Sequence, residues 1–253
     1  MLRWAEVVPT LRAAERWLLP AECLLCQQPI TLPNEDPLIC ALCRLRWPVI
    51  PAPWCDRCGQ PLDRDIECRV CEGWPEGFGV VRSAVWLTGG ARAAVHHLKY
   101  GGWPRTTEAM ALAMRGLAPL AGNPVLVPVP LGKARHRERG YNQCDHLAVA
   151  LAGVAGGRVR PELLSRSRET RRQTGLHPDA RRANTDGAFQ ARRPPPRTRV
   201  VLVDDVFTTG ATLIGAAMAL LAAGAEQVDA VTFARARRPL DDDVATLPLT
   251  PDP

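Results

Sequence analysis

Two adjacent carboxylates, Asp204 and Asp205, close the unbroken apolar run 200–203 and stand just ahead of Thr208-Thr209-Gly210-Ala211-Thr212. Four apolar residues without polar alternation fit a strand covered on both faces, as in the middle of a parallel sheet. Gly210 and the hydroxyl residues around it suit a tight turn into a helix N-terminus, whose first backbone N–H groups lack intrahelical partners. Those free donors and the helix dipole attract phosphate. Two neighbouring carboxylates at that place can accept hydrogen bonds from both hydroxyls of a sugar diol. The stretch therefore reads as a cradle for a ribose and its phosphate. The bland alternative is a helix start with ordinary capping threonines.

The second constellation is sulfur. Cys23/Cys26, Cys40/Cys43, Cys55/Cys58 and Cys68/Cys71 form four Cys-x-x-Cys pairs separated by gaps of 13, 11 and 9 residues. A two-residue spacer lets both thiolates of a pair face one ion, and two such knuckles complete a tetrahedral four-thiolate site. Four pairs make two structural zinc sites, most simply taken in sequence as two zinc ribbons. Interleaved ligation, disulfides and an iron–sulfur centre are the alternatives. All-cysteine ligation leaves no open position for catalysis. Cys144 stands apart and reads as a small buried helix residue.

A third group is basic. The proline-bounded apolar run 124–130 leads directly into Lys133, Arg135, Arg137 and Arg139, a basic loop at the end where parallel sheets bind ligands. Lys99 ends a preceding helical segment. From residue 131 to 199 there are 16 Lys/Arg against six Asp/Glu, enough to attract a polyanion or to be a solvated basic surface. The whole-chain formal charge of +6 says less, because eight thiolates holding two divalent ions would bring it to +2.

The elements that must position these groups follow from periodicity and punctuation. Strands are expected over 80–87, 124–130, 158–164, 200–203 and 227–235, and helices over 91–100, 104–117, from Asn142 onward, and over 211–223. Alternating strands and helices of this kind predict an α/β domain with a parallel sheet and helices on both faces. The expected organisation is an amphipathic helix over 1–22, a double zinc ribbon over 23–78, the α/β domain over 79–240 and a disordered tail over 241–253. The Arg-rich segment 165–185 is longer than an ordinary connection and suits a lid or a solvated linker. Five charges in the first 16 residues argue against an export signal, no run is long enough to span a bilayer, and the chain is placed in the cytoplasm.

VVLVDDVFTTGAT resembles the phosphoribosyl pyrophosphate (PRPP) signature of type I phosphoribosyltransferases. The resemblance implies that Asp204 and Asp205 hold the ribose hydroxyls and supply any catalytic carboxylate, while Thr208, Thr209, Gly210, Ala211 and Thr212 wrap the 5′-phosphate. Lys99, Lys133, Arg135, Arg137 and Arg139 would complete PRPP binding with Mg²⁺. Thr208 stands where the hypoxanthine-type enzymes carry an aspartate, which argues against that substrate class. Together with PVPLGKARHRERGYNQ, RETRRQTGLHPDARRANTDGAF and the cysteine knuckles, the signature is similar to the ComF family over nearly the whole chain. That resemblance adds Gln173, Arg181 and Asn184 as flexible-loop positions; Ala180 stands where an acidic residue would be expected.

The ComF resemblance implies competence-associated handling of incoming single-stranded DNA, with a helicase-like partner in some bacteria. A working phosphoribosyltransferase with an unidentified nitrogen acceptor, and a scaffold that has lost its ligand, are the competing readings. For a DNA-binding role the stacking platforms near the ribbons would be Trp47, Trp54, Trp74 and Phe78, unless these form the ribbons' own small core.

Overall fold

The computed structural model describes residues 21–30, 36, 38–62, 68–167 and 187–237. A five-stranded sheet is built from β1 (Phe78–Trp86), β2 (Val125–Pro128), β3 (Arg158–Val159), β6 (Val200–Phe207) and β7 (Val228–Arg235), in the order β1-β7-β6-β2-β3. Every pairing in it is parallel. A separate antiparallel pair joins β4 (Leu164–Arg166) to β5 (Phe189–Ala191). The expected strand over 158–164 is thus split between two sheets by a short 3-10 turn at Pro161–Leu163. A proline at the start of that turn has no N–H to give to a continuing ladder.

β7 is buried along its whole length and β6 at all but one position, which explains why neither shows polar alternation. Beyond the short α1 (Ala41–Leu45) of the first ribbon, one face of the sheet carries α2 (Gly89–Tyr100), α3 (Thr106–Met114) and α5 (Gln143–Ala155), whose Leu98, Met110, Met114, Leu147 and Leu151 share a core with Val201, Val203, Val231 and Phe233. The other face carries α6 (Ala211–Ala222) and the β4–β5 pair. There Leu213, Ala216, Ala217 and Leu220 pack with Leu164, Phe189, Leu202 and Ala230.

The cysteine pairs associate in sequence. Cys23, Cys26, Cys40 and Cys43 form one cluster, and Cys55, Cys58, Cys68 and Cys71 the other, each with its sulfurs within 4.8 Å of one another. Nearest sulfurs lie 3.4 Å (Cys58–Cys68), 3.6 Å (Cys55–Cys71) and 3.8 Å (Cys26–Cys40) apart. A tetrahedral zinc with ~2.3 Å bonds to sulfur asks for about 3.8 Å between ligands, so both clusters fit one structural zinc each. None of the eight cysteines is in a disulfide, and interleaved ligation is ruled out by the grouping. Both knuckles turn in the same way. Gln27 and Gly59, each directly after the second cysteine of its pair, adopt φ of 59° and 69°. Gln27 N–H and Gly59 N–H then donate to the carbonyls of Cys23 and Cys55, both at 2.8 Å.

The ribbons complete the sheet as well as precede it. β1 is an edge strand, and its outward N–H groups at Val81 and Trp86 donate to Arg57 O and Pro48 O, both at 2.8 Å. This covers an edge that would otherwise template further pairing. Trp47 of the first ribbon packs edge-on against Phe233 at 4.9 Å, and Trp74 stacks on Phe78 at 4.7 Å. Trp47, Trp74 and Phe78 are therefore core, and of the four aromatics that could serve as stacking platforms Trp54 alone is exposed, at 41%.

Elemental analysis of the purified protein should give two zinc ions per chain. Cys23→Ser/Cys26→Ser should retain one, as should Cys55→Ser/Cys58→Ser; loss of both ions from either variant would contradict two separate clusters. Trp47→Ala should lower unfolding stability by about 3 kcal/mol through the cavity against Phe233, read by denaturant titration.

Candidate functional site

Asp204 and Asp205 are the fifth and sixth residues of β6, so the alternation of a strand sends their side chains to opposite faces of the sheet. Both are buried. Asp205 turns toward the helices of the first face, where its Oδ2 meets Nζ of Lys99 at 2.8 Å. Lys99 is held there by the last turn of α2, which Gly101 closes by donating its N–H to His97 O at 3.0 Å. Burial opposes the charge on Lys99, but the adjacent Asp205, with Asp204 behind it, outweighs that and holds the ammonium above its ordinary range.

Asp204 turns the other way, to the start of α5. Its Oδ1 accepts from the Asp205 backbone N–H at 2.9 Å and from the Cys144 thiol at 3.2 Å. Burial, and then the neighbouring Asp205 charge, push the Asp204 carboxyl up to about 7. The Cys144 thiol is driven well above its usual value by burial and by the Asp204 and Asp205 charges, so it stays protonated and donates. Asn142 fixes this corner. Its side chain accepts from Cys144 N–H at 3.3 Å as the cap of α5, while its amide donates to Val129 O at 3.2 Å and to Asp145 at 2.8 Å.

The turn after β6 has the predicted form. Thr208 and Thr209 are exposed, and Gly210 is buried with φ of 78°, a left-handed conformation that glycine adopts without strain. A Cβ at Gly210 would also sit 3.1 Å from the Phe207 ring. α6 begins at Ala211 with Gly210 as its cap, and among the described residues no side chain caps that end. The first-turn N–H groups, with Thr212 among them, are thus presented at the C-terminal end of the sheet, beside the carboxylates.

The basic segment differs from expectation. Lys133–Arg139 form a short helix, α4, rather than a loop, closed by Gly140 at φ of 80°. Lys, Ala, Arg and Glu are all good helix formers, and their propensity decides the local structure where no side chain is buried. Lys133, Arg135 and Arg137 are exposed. Arg139 is tied down by donating to Gln143 Oε1 and by lying 5.5 Å over the ring of Tyr100, which follows Lys99 in sequence. Three cations are therefore available to meet a ligand and one is positioned. Gln173, Arg181 and Asn184 lie outside the described residues. The described strands on either side of it, β4 and β5, pack in one core with α6.

Sequence reasoning misses two contributors. Cys144 reads as filler, and nothing in its spacing marks it as the partner of Asp204. Arg235, at the end of β7, is fully buried and lies 4.1 Å over the Phe207 ring below the glycine turn. No motif signals it.

A parallel sheet with a carboxylate pair and a glycine turn at its C-terminal end, joined to two four-cysteine clusters, defines a phosphoribosyltransferase-type domain with a double zinc ribbon. Comparison with known proteins agrees, with residues 14–72 matching the double zinc ribbon domain and residues 146–247 the phosphoribosyl transferase domain. The chain is 31% identical to the DNA utilization protein YhgH of Salmonella typhi over 83% of its own length and 95% of that protein's. It is 28% identical to the competence protein ComFC of Bacillus subtilis, over 84% of this chain and 94% of that protein. A shorter match, 37% identical, covers 44% of this chain and half of competence protein F of Haemophilus influenzae. The chain belongs to the ComF family.

The raised Asp204 carboxyl sets a pH dependence. The folded, unliganded protein keeps this proton up to about pH 7, whereas the unfolded chain loses it near pH 4, so Asp204 withdraws stability as pH rises across that window. Asp204→Asn should match the wild type at pH 4 and exceed it at pH 8 by on the order of 4 kcal/mol, measured by denaturant midpoints at both values.

Proposed function

We propose that the end of β6 and the start of α6 bind a phosphoribosyl ligand of the PRPP type with Mg²⁺, and that the protein serves the handling of incoming single-stranded DNA. The observation that carries the first half is the buried Asp204–Asp205 pair beside a helix N-terminus that no described side chain caps. Ribose hydroxyls would donate to the two carboxylates, and the 5′-phosphate would take the first-turn N–H groups. A diol and a divalent ion both favour ionised carboxylates, so binding would draw the proton from Asp204. Lys99 would hold Asp205 in place. Lys133, Arg135 and Arg137 are the cations available for the pyrophosphate or for a polynucleotide.

The second half rests on the names of the relatives, DNA utilization protein and competence protein, together with the exposed basic helix α4. A helicase-like partner belongs to the same reading, as does a cytoplasmic location. Completeness of the carboxylate pair favours a second reading, an active phosphoribosyltransferase. In it a nitrogen nucleophile attacks the ribose C1, the C1–oxygen bond to pyrophosphate breaks, and the cationic groups take up the charge of the leaving group.

Calorimetry with PRPP and Mg²⁺ tests the ligand. The wild type should bind, and Asp204→Ala/Asp205→Ala should weaken binding about 100-fold through loss of two charge-assisted hydrogen bonds. Unchanged affinity in that variant would overturn the site. For the DNA role, affinity for a single-stranded oligonucleotide should fall steeply with salt. Lys133→Ala/Arg135→Ala/Arg137→Ala should flatten the logarithmic slope by about 2, at ~0.7 for each phosphate no longer neutralised. An affinity independent of salt in the wild type would end the DNA reading, and pyrophosphate release with a nucleobase or amine would establish the transferase.

A further inference from the structure

The second cysteine cluster touches the glycine turn through two routes, and both run through side chains that the ligand reading leaves unused. Arg235 is 1% exposed, in register with Phe207 across the β6–β7 pair. Its NH1 donates to the backbone carbonyl of Cys58 at 3.0 Å and its Nε to Gln60 Oε1 at 3.2 Å. The guanidinium carbon then lies 4.1 Å over the Phe207 ring, and the Phe207 ring is what Gly210 rests on. The second route is Trp74, whose backbone N–H donates to Cys71 O at 3.2 Å. Its ring leans on Phe207 at 6.4 Å, and its Cζ2 would be 3.8 Å from a Cβ at Gly210.

Cys58 and Cys71 belong to the same cluster. Their carbonyl groups, not only their sulfurs, are therefore part of what holds the turn. Among the described residues the first cluster has no such link: its Trp47 meets Phe233 in the core on the opposite face. A buried guanidinium is also a costly way to fill a core, since an apolar side chain of similar volume would serve packing as well. Arg235 instead delivers two directed hydrogen bonds and a flat cation against the ring beneath the turn.

We infer that Arg235 is a positioning residue for the Thr208–Thr212 turn, and that through it the second cysteine cluster, not the first, sets the geometry in which the turn receives a phosphate. The inference rests on the ligand reading for its consequence and on the packing alone for the coupling. Such coupling is reciprocal: an anion held by the turn tightens metal retention in the second cluster.

Hydrogen exchange and calorimetry together test it. Arg235→Gln, with Arg235→Lys as the conservative variant, should keep two zinc ions and wild-type exchange in β2 and α5. Exchange across 207–213 should rise about tenfold in Arg235→Gln, and affinity for PRPP with Mg²⁺ should fall about tenfold, with Arg235→Lys intermediate. Wild-type exchange over 207–213 in a folded, two-zinc Arg235→Gln would overturn the proposal. Should the Arg235 variants fail to fold, Cys68→Ser and Cys26→Ser in the full chain make the same comparison. Loosening of 207–213 in Cys68→Ser alone supports the coupling, and equal exchange in both overturns it. A wild type that does not bind PRPP while its exchange behaves as described refutes the ligand and leaves the positioning role standing.

Discussion

Two carboxylates side by side in the middle of a sheet repel each other and have lost most of their water, and the architecture around β6 answers that cost. Because a strand alternates, Asp204 and Asp205 leave on opposite faces and each can be met by a different element. Asp205 receives a cation at 2.8 Å from the end of α2. Asp204 receives a backbone N–H and a thiol, and otherwise keeps its proton. One carboxylate is neutralised by pairing and the other by protonation, so the pair is held ready by a single removable proton. The helix ends that carry Lys99 and Cys144 are fixed in turn by Gly101 and by Asn142.

The ribbons follow from a second constraint. β1 lies at the sheet edge, and its N–H groups would face water or another chain without Arg57 O and Pro48 O. A segment this short in apolar residues cannot hold such a shape by its own core, and metal ligation supplies what burial does not. Each ribbon then contributes one tryptophan to a different face of the sheet, Trp47 to one and Trp74 to the other. The ribbon region is thus part of both cores. The side chain of Arg57, donating to Phe78 O at 3.0 Å and Pro75 O at 3.1 Å, pins the chain where it enters β1.

What the sequence discloses depends on how local the cause is. The apolar run into Asp204–Asp205 and the Thr-Thr-Gly turn are contiguous, and the turn and helix appear where they are expected, while the strand expected over 200–203 runs on through both carboxylates to Phe207. Cysteine knuckles are equally local, although only the fold shows that they group in sequence, since spacing permits both arrangements. The basic segment is a different failure. Its clustered cations suggest a ligand-gripping loop, yet the same residues favour a helix, which presents Lys133, Arg135 and Arg137 outward and leaves Arg139 against Tyr100. Arg235, Gln60 and Cys144 are illegible because their partners are 28 to 177 residues distant in sequence; the Arg235–Cys58 contact spans 177, Arg235–Gln60 175 and Cys144–Asp204 60. No periodicity or motif encodes a contact of that kind.

The tryptophans carry the same lesson into function. Aromatic residues among cysteine knuckles invite a reading as stacking platforms for bases, and burial removes Trp47, Trp74 and Phe78 from that role while Trp54 stays exposed. Among the described residues the exposed aromatics are instead Trp54 on the second ribbon, Tyr100 at the end of α2 and Trp103 just beyond it. Tyr100 adjoins Lys99, which meets Asp205, and bears the Arg139 guanidinium on its face. Lys99, Tyr100 and Arg139 thus gather beside Asp205 at the end of the sheet where the carboxylate pair lies. Burial turns the ribbon tryptophans into core, whereas Lys99, Tyr100 and Arg139 are set by contacts at the carboxylate pair itself, so the two groups of residues answer to different constraints.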